Sequence, residues 1–159
     1  MTEHEFREGL RAAEKHPAKI ALAVSGLPEK VLLYKPSPGK WCIHEILGHL
    51  ADMEVLYAYR MRQILADKNP VFASIDQDDW ARNLGYTQEP VAELLAQLGL
   101  MRRATVRLLQ RVPFKDLQKD ALHPELNRRM ILEEWVERLF KHGPNHLEQI
   151  ERLKKGAKK

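Results

Sequence analysis

His142 and His146 stand four residues apart in the run Trp135-Val-Glu-Arg-Leu-Phe-Lys-His-Gly-Pro-Asn-His-Leu-Glu-Gln-Ile150, whose apolar residues recur with helical period. At about 100° per residue the two imidazoles lie about 40° apart, inside the apolar stripe of Trp135, Leu139, Ile150 and Leu153. A buried imidazole must hydrogen-bond or bind a metal, and two on one helical turn are a common way for a helix to hold a transition metal. Of the other five histidines, only His49 falls near the core face of a strongly patterned helix. His4 and His16 sit among charged residues, and His123 precedes a proline in a connecting segment. His44 is rotated about 140° from His49, toward solvent. His49 lies at the seam its helix would share with a neighbour, where it completes a three-histidine set if the two helices pack about 8 to 10 Å apart. Three ligands leave a coordination position open, as in catalytic rather than structural sites. The residues alone also allow a plainer reading, in which the histidines are held only by hydrogen bonds.

Four long helical segments must position these groups. The first spans about Glu3 to Ser25, with Phe6, Leu10, Ala13, Ile20 and Val24 apolar and Pro17 marking a kink or restart. The second spans about Cys42 to Leu65 and carries the continuous stripe Ile43, Ile46, Leu47, Leu50, Met53, Tyr57, Met61 and Ile64. The third spans about Thr87 to Val112, with Pro90 in its first turn, and the fourth about Met130 to Lys154. Between the second and third runs a connection too long for a turn, Ala66 to Tyr86, which holds Asp76-Gln-Asp-Asp-Trp80 and room for one short helix. No strand pattern stands out. The expectation is an all-α protein, a four-helix bundle with a long crossover between helices 2 and 3.

The 159 residues suit one domain, expected over 1–154, followed by a basic disordered tail at 155–159. With one cysteine no intramolecular disulfide can form, the N-terminal stretch lacks a secretory apolar run, and no segment approaches the roughly 20 apolar residues that span a bilayer. The cytoplasm is the expected compartment, with no membrane partner. The net charge of +4 comes from 26 basic and 22 acidic residues, and Lys154, Lys155, Lys158 and Lys159 account for the excess. Arg102, Arg103, Arg107, Arg128 and Arg129 raise nucleic-acid binding as a third reading, but they are interleaved with acids or fall on solvated faces, with no nucleic-acid motif beside them.

Pro36-Ser-Pro-Gly-Lys-Trp-Cys-Ile-His-Glu-Ile-Leu-Gly-His-Leu-Ala-Asp-Met-Glu54 resembles the entry into the second helix of DinB-like (DinB/YfiT) proteins. The acidic-aromatic loop around Trp80, the His123-Pro-Glu-Leu126 stretch and His142-x-x-x-His146-Leu-x-Gln-Ile150 extend the likeness across roughly Leu10 to Leu153. The resemblance implies a four-helix bundle in which His49, His142 and His146 bind a divalent metal, often nickel or zinc. It further implies a metal-dependent hydrolase, or a transferase joining a low-molecular-weight thiol to an electrophile, acting on a small molecule. The alternative is a non-catalytic module that binds metal, a partner or a second copy of itself. Beyond the ligands, no catalytic residue is singled out.

Two positions depart from the family pattern. Cys42 replaces the hydroxyl residue that would cap the second helix, with Glu45 retained three residues on, so half of a capping box is lost at about 0.5–1 kcal/mol. A thiol there is either a reactive group at a helix N-terminus or a half-buried stand-in for serine. Gly143-Pro144 replaces a sequence that often has aspartate after the first histidine of the pair, and Pro144 is expected to kink the helix between the two ligands. Glu45 and Asp52 flank His49 and could supply the missing carboxylate, or face solvent.

Overall fold

The computed structural model describes residues 1–157, and within them the four expected helical columns are present. The first column is divided. Helix α1 (Glu3–Glu14) ends at Lys15, and α2 (His16–Val24) restarts with Pro17 in its first turn, where a missing N–H costs nothing. A single-turn helix α3 (Glu29–Leu32) leads to α4 (Ile43–Ala66). The crossover contains α5 (Gln77–Asn83), capped by the Asp76 carboxylate, which accepts from the N–H groups of Asp78 and Asp79. A 3₁₀ turn at Tyr86–Gln88 precedes α6 (Val91–Gln110), and α7 (Leu132–Gly156) closes the chain. In the bundle α4 packs on α6 and α7, while the α1–α2 column packs on the other sides of the same two helices.

Three expectations are corrected. A two-stranded antiparallel hairpin, β1 (Asp120–His123) and β2 (Arg128–Ile131), precedes α7, with Asp120 opposite Ile131 and His123 opposite Arg128. Four-residue strands are too short to show a period of two in sequence. The crossover is tied to this hairpin, because Phe72 N–H donates to the Leu122 carbonyl and Leu122 N–H to the Pro70 carbonyl. Second, α7 continues through Lys155 to Gly156, so the basic end begins as helix rather than as a disordered tail; 158–159 lie outside the described residues. Third, Arg102 is not on a solvated face: it is 1% exposed.

The apolar interior forms two clusters. One gathers Phe6 and Leu10 of α1, Met53 to Ile64 of α4, Val106 and Leu109 of α6, and Leu132 to Leu139 of α7. The other gathers Ile20 and Val24 of α2, Ile43 to Ala51 of α4, Leu94 and Leu98 of α6, and Ile150 and Leu153 of α7. Between them every column carries a polar residue: His16, Glu54, Arg102 and the pair His142 and His146, with His49 beside them. Arg102 is the hub. Its Nε donates to Glu54 Oε2 at 2.9 Å, its Nη2 to Glu54 Oε1, and its Nη1 to the Ala13 carbonyl at 3.0 Å, with His16 Nδ1 at 3.5 Å.

Removing one partner of such a pair strands the other charge in the interior. Arg102→Met is therefore expected to cost about 3–5 kcal/mol, and the double variant Arg102→Met/Glu54→Leu to cost less than the single one. The exposed neighbour Arg103→Met should change stability by under about 0.5 kcal/mol. Urea unfolding midpoints of the three variants check the order.

Candidate metal centre

His49 comes from α4, and His142 and His146 from α7, two helices that pack directly on each other. Their Nε2 atoms point at one another: His49 to His142 is 3.0 Å and His146 to His142 is 3.2 Å, and the three ligand atoms all lie within 4.8 Å. A tetrahedral ion with nitrogen bonds of about 2.0–2.1 Å needs ligand atoms about 3.3 Å apart, close to these separations. Hydrogen bonds among the three rings cannot satisfy the cluster. His142 Nε2 has either one proton or one lone pair, yet it faces two nitrogens, whereas a cation at the common focus takes a lone pair from each. The residues therefore fit a metal.

Burial prepares all three as ligands. Desolvation lowers the pKa of His49 to about 3 and that of His142 to about 2, with the neighbouring imidazoles adding to the effect, and it lowers His146 as well. Neutral imidazole is the coordinating form. The Nδ1–H of His146 donates to Gln149 Oε1 at 2.9 Å, which leaves the Nε2 lone pair free to point inward. His49 is held by the Trp41 ring, with centroids 4.7 Å apart, and His142 by the Tyr57 ring at 5.5 Å. His142 Nδ1 is buried without a partner.

The other histidines lie elsewhere. His44 Nε2 donates to the Glu89 carbonyl at 2.8 Å, half-buried rather than turned to open solvent. His123 is not in a loop: it ends β1, is buried, and stacks on Trp135 with an interplanar angle of 6°. His16 is also buried, in spite of its charged neighbours, and packs on Gly143. Neither flanking carboxylate reaches the histidines by a hydrogen bond. Glu45 accepts from Cys42 N–H at 2.8 Å and pairs with Lys35 at 2.7 Å, keeping its half of the capping box, while Asp52 accepts from the Tyr86 hydroxyl at 2.8 Å. Cys42 is fully buried, and burial raises its pKa, so the thiol is not an activated nucleophile.

Glu54, Arg102, His16 and Gln149 were missed as parts of this layer. Helical phase carried a signal for two of them: Arg102 lies four residues after Leu98 and seven before Leu109, and Glu54 lies four after Leu50 and seven before Met61. Each charged residue falls on the apolar stripe of its own helix. Pro144 does not divide α7, which is helical from Leu132 through Gly156 with His142 and His146 both turned toward His49.

Comparison with known proteins gives the family and the fold. The chain matches the family model of the DinB superfamily over residues 12–150 and belongs to that superfamily. A Bacillus cereus (strain B4264) protein named "Putative metal-dependent hydrolase" is 26% identical over 160 residues, covering 98% of this chain and 88% of its own. A protein of Bacillus thuringiensis subsp. konkukian (strain 97-27) carries the same name and matches at 26% identity over the same shares. Among solved structures, YfiT from Bacillus subtilis, described as a "probable metal-dependent hydrolase with an unusual four-helix bundle topology", superposes with a TM-score of 0.91 at 20% identity, over 96% of this chain and 87% of its own. At that identity the likeness establishes the fold.

Two outcomes follow from the site's surroundings. Gln149→Leu should leave stability near that of the parent protein but weaken metal binding by about 10–100-fold, read by competition with a chelator. The pH dependence of the metal-free protein tests His16, whose pKa falls to about 4 through burial and then the Arg102 charge. Its unfolded value is near 6.5, so the unfolded chain binds more protons between those values and stability falls as pH drops from about 6.5 toward 4. His49, His142 and His146 add to this slope in the metal-free protein, so His16→Gln should lessen it without abolishing it in denaturant titrations; an unchanged slope would show that His16 is not neutral in the fold.

Proposed function

We propose that His49, His142 and His146 hold one divalent ion, nickel or zinc, and that the protein is a metal-dependent hydrolase of small molecules. The observation that carries the proposal is the convergence of three neutral Nε2 atoms, from a buried His49 and half-buried His142 and His146, that hydrogen bonds among themselves cannot satisfy. Borderline nitrogen donors suit zinc and nickel better than magnesium or calcium, which prefer oxygen. The chemistry such an ion supplies is the activation of a water, or of a thiol in a transferase, at the remaining coordination position near neutral pH. The relatives' names favour the hydrolase reading.

The chain's own residues then have separate tasks. Gln149 fixes the tautomer of His146, and Trp41 shields His49 from water. Tyr57 and Asn145 line a cleft of about 420 Å³ against His142. Among the described residues the histidines are the one cluster of three or more potential ligands, so activity and metal content should fail together.

The test is metal analysis of protein purified without a histidine tag. We expect near-stoichiometric nickel or zinc in the parent and in His44→Ala, and at least about a tenfold loss in His49→Ala and His146→Ala. Hydrolysis of an activated aryl ester should follow the same order and disappear on chelation. A parent protein that binds no transition metal, or an esterase activity that survives His49→Ala, would overturn the reading.

A further inference from the structure

A groove of about 500 Å³ lies between the segment leading into α4 and the C-terminal turns of α7. Its walls include the rings of Tyr34 and Trp41 and the side chain of Leu153, and its polar groups include Lys40, Arg152 and Gln149. Two of these residues also touch the metal ligands: Trp41 packs on the His49 ring, and Gln149 accepts from His146. A molecule lying in the groove therefore contacts the supports of one ligand on each helix. Gly156 contributes to its shape, because a Cβ there would come within 3.1 Å of the Tyr34 ring.

The charge lining the groove is of one sign. Lys40 and Arg152 are both exposed, no acidic residue lines the groove, and Lys40 has no ion-pair partner among the described residues. Arg152 meets only Glu148, at 3.9 Å with both side chains largely in solvent, a contact too weak to hold the guanidinium. The cleft beside Tyr57 and His142 differs. There the carboxylates of Glu134 and Glu137 stand beside Arg138 and Lys141, with Lys141 paired with Glu137 and Glu134 with Arg128, so the lining is of mixed sign. Aromatic walls with unmatched cations suit a ligand with an apolar body and an anionic group, for which guanidinium and ammonium are the usual partners.

We propose that this groove is the substrate subsite and that it takes a small organic anion with an apolar or aromatic body. The proposal rests on the metal-site reading above. Lys40 and Arg152 hold the anionic group at the mouth, and the body lies over Trp41 toward the histidines.

The test uses 3-phenylpropionate and 3-phenylpropylamine, which share an apolar body and differ in the sign of their charge. Binding is read from the indole N–H resonance of Trp41, assigned with Trp41→Phe, in metal-free and cobalt-loaded protein. The acid should shift that resonance saturably and bind at least about tenfold more tightly than the amine, and Lys40→Glu/Arg152→Glu should reverse the preference. In the cobalt-loaded protein the acid should also change the visible ligand-field spectrum. Equal shifts from acid and amine, or none from either, would overturn the anion preference. A Trp41 shift with an unchanged cobalt spectrum would overturn the subsite claim. Failure to take up cobalt would instead defeat the metal-site reading, and the subsite claim with it, while Trp41 in the metal-free protein still decides what the groove binds.

Discussion

A guanidinium cannot shed its proton inside a protein, so a buried arginine must be surrounded by acceptors. Arg102 meets that demand by reaching in three directions from α6. It forks onto Glu54 of α4, takes the Ala13 carbonyl near the end of α1, and lies beside His16 at the start of α2. The Ala13 carbonyl belongs to the last turn of α1, where carbonyls lack helical partners and carry partial negative charge. The break between α1 and α2 is thus the feature that supplies Arg102 with its backbone acceptor, and one side chain ties three of the four columns together at the level of the histidine cluster. Hydrophobic burial above and below could be met by several sliding registers. Pairing a charge with a carboxylate on the neighbouring column, at hydrogen-bonding distance, admits far fewer.

The three clustered histidines inherit that registration. His49 lies five residues before Glu54 on α4, and Gly143, next to His142, contacts His16. Holding three imidazole nitrogens within 4.8 Å needs their helices fixed in height and rotation: the ion pair sets α4, and the close approach of His16 to Gly143 seats α7 against the same layer. The same burial keeps the imidazoles neutral. A site on the surface would bind protons at mildly acidic pH and lose its metal, whereas these histidines resist protonation well below their ordinary range. Placing them in the interior is costly for the metal-free fold, because His142 Nδ1 has no partner and two nitrogens compete for His142 Nε2.

Much of this was legible in the sequence because helical phase converts residue number into direction. His49, His142 and His146 could be set apart from His44 on rotation alone, and the bundle followed from four stripes and a long crossover. The hairpin was illegible for a matching reason: Asp120–His123 and Arg128–Ile131 offer only four residues each, and β2 presents two exposed arginines before its buried Met130. His16 and His123 were misplaced because charge or proline nearby in sequence says little about what packs on a side chain from another element. His123 is enclosed by Phe72 and Trp135, from the crossover and α7. Arg102 and Glu54 carried the phase of buried residues, but each becomes credible in the core only when the other is known to face it.

Gly143-Pro144 shows how a local departure can have a distant cause. Judged along α7 alone, a glycine and a proline between two ligands weaken the helix, since Pro144 offers no N–H to the Phe140 carbonyl. Across the interface the pair has a different meaning. A Cβ on Gly143 would come within 3.1 Å of His16 Cβ and 3.2 Å of its Nδ1, so the glycine lets α2 approach α7 closely enough for His16 to stand beside Arg102. Pro144 lines the same seam with Ile20 and Leu147, around a cavity of only about 70 Å³. One turn earlier, Gly9 of α1 admits the Phe140 ring where a Cβ would lie 2.1 Å from it. Residues that look like damage to the helix carrying the histidine pair are thus places where the α1–α2 column is seated against it, and the helix stays continuous because packing on both sides of Pro144 holds the turn in place of the missing backbone bond.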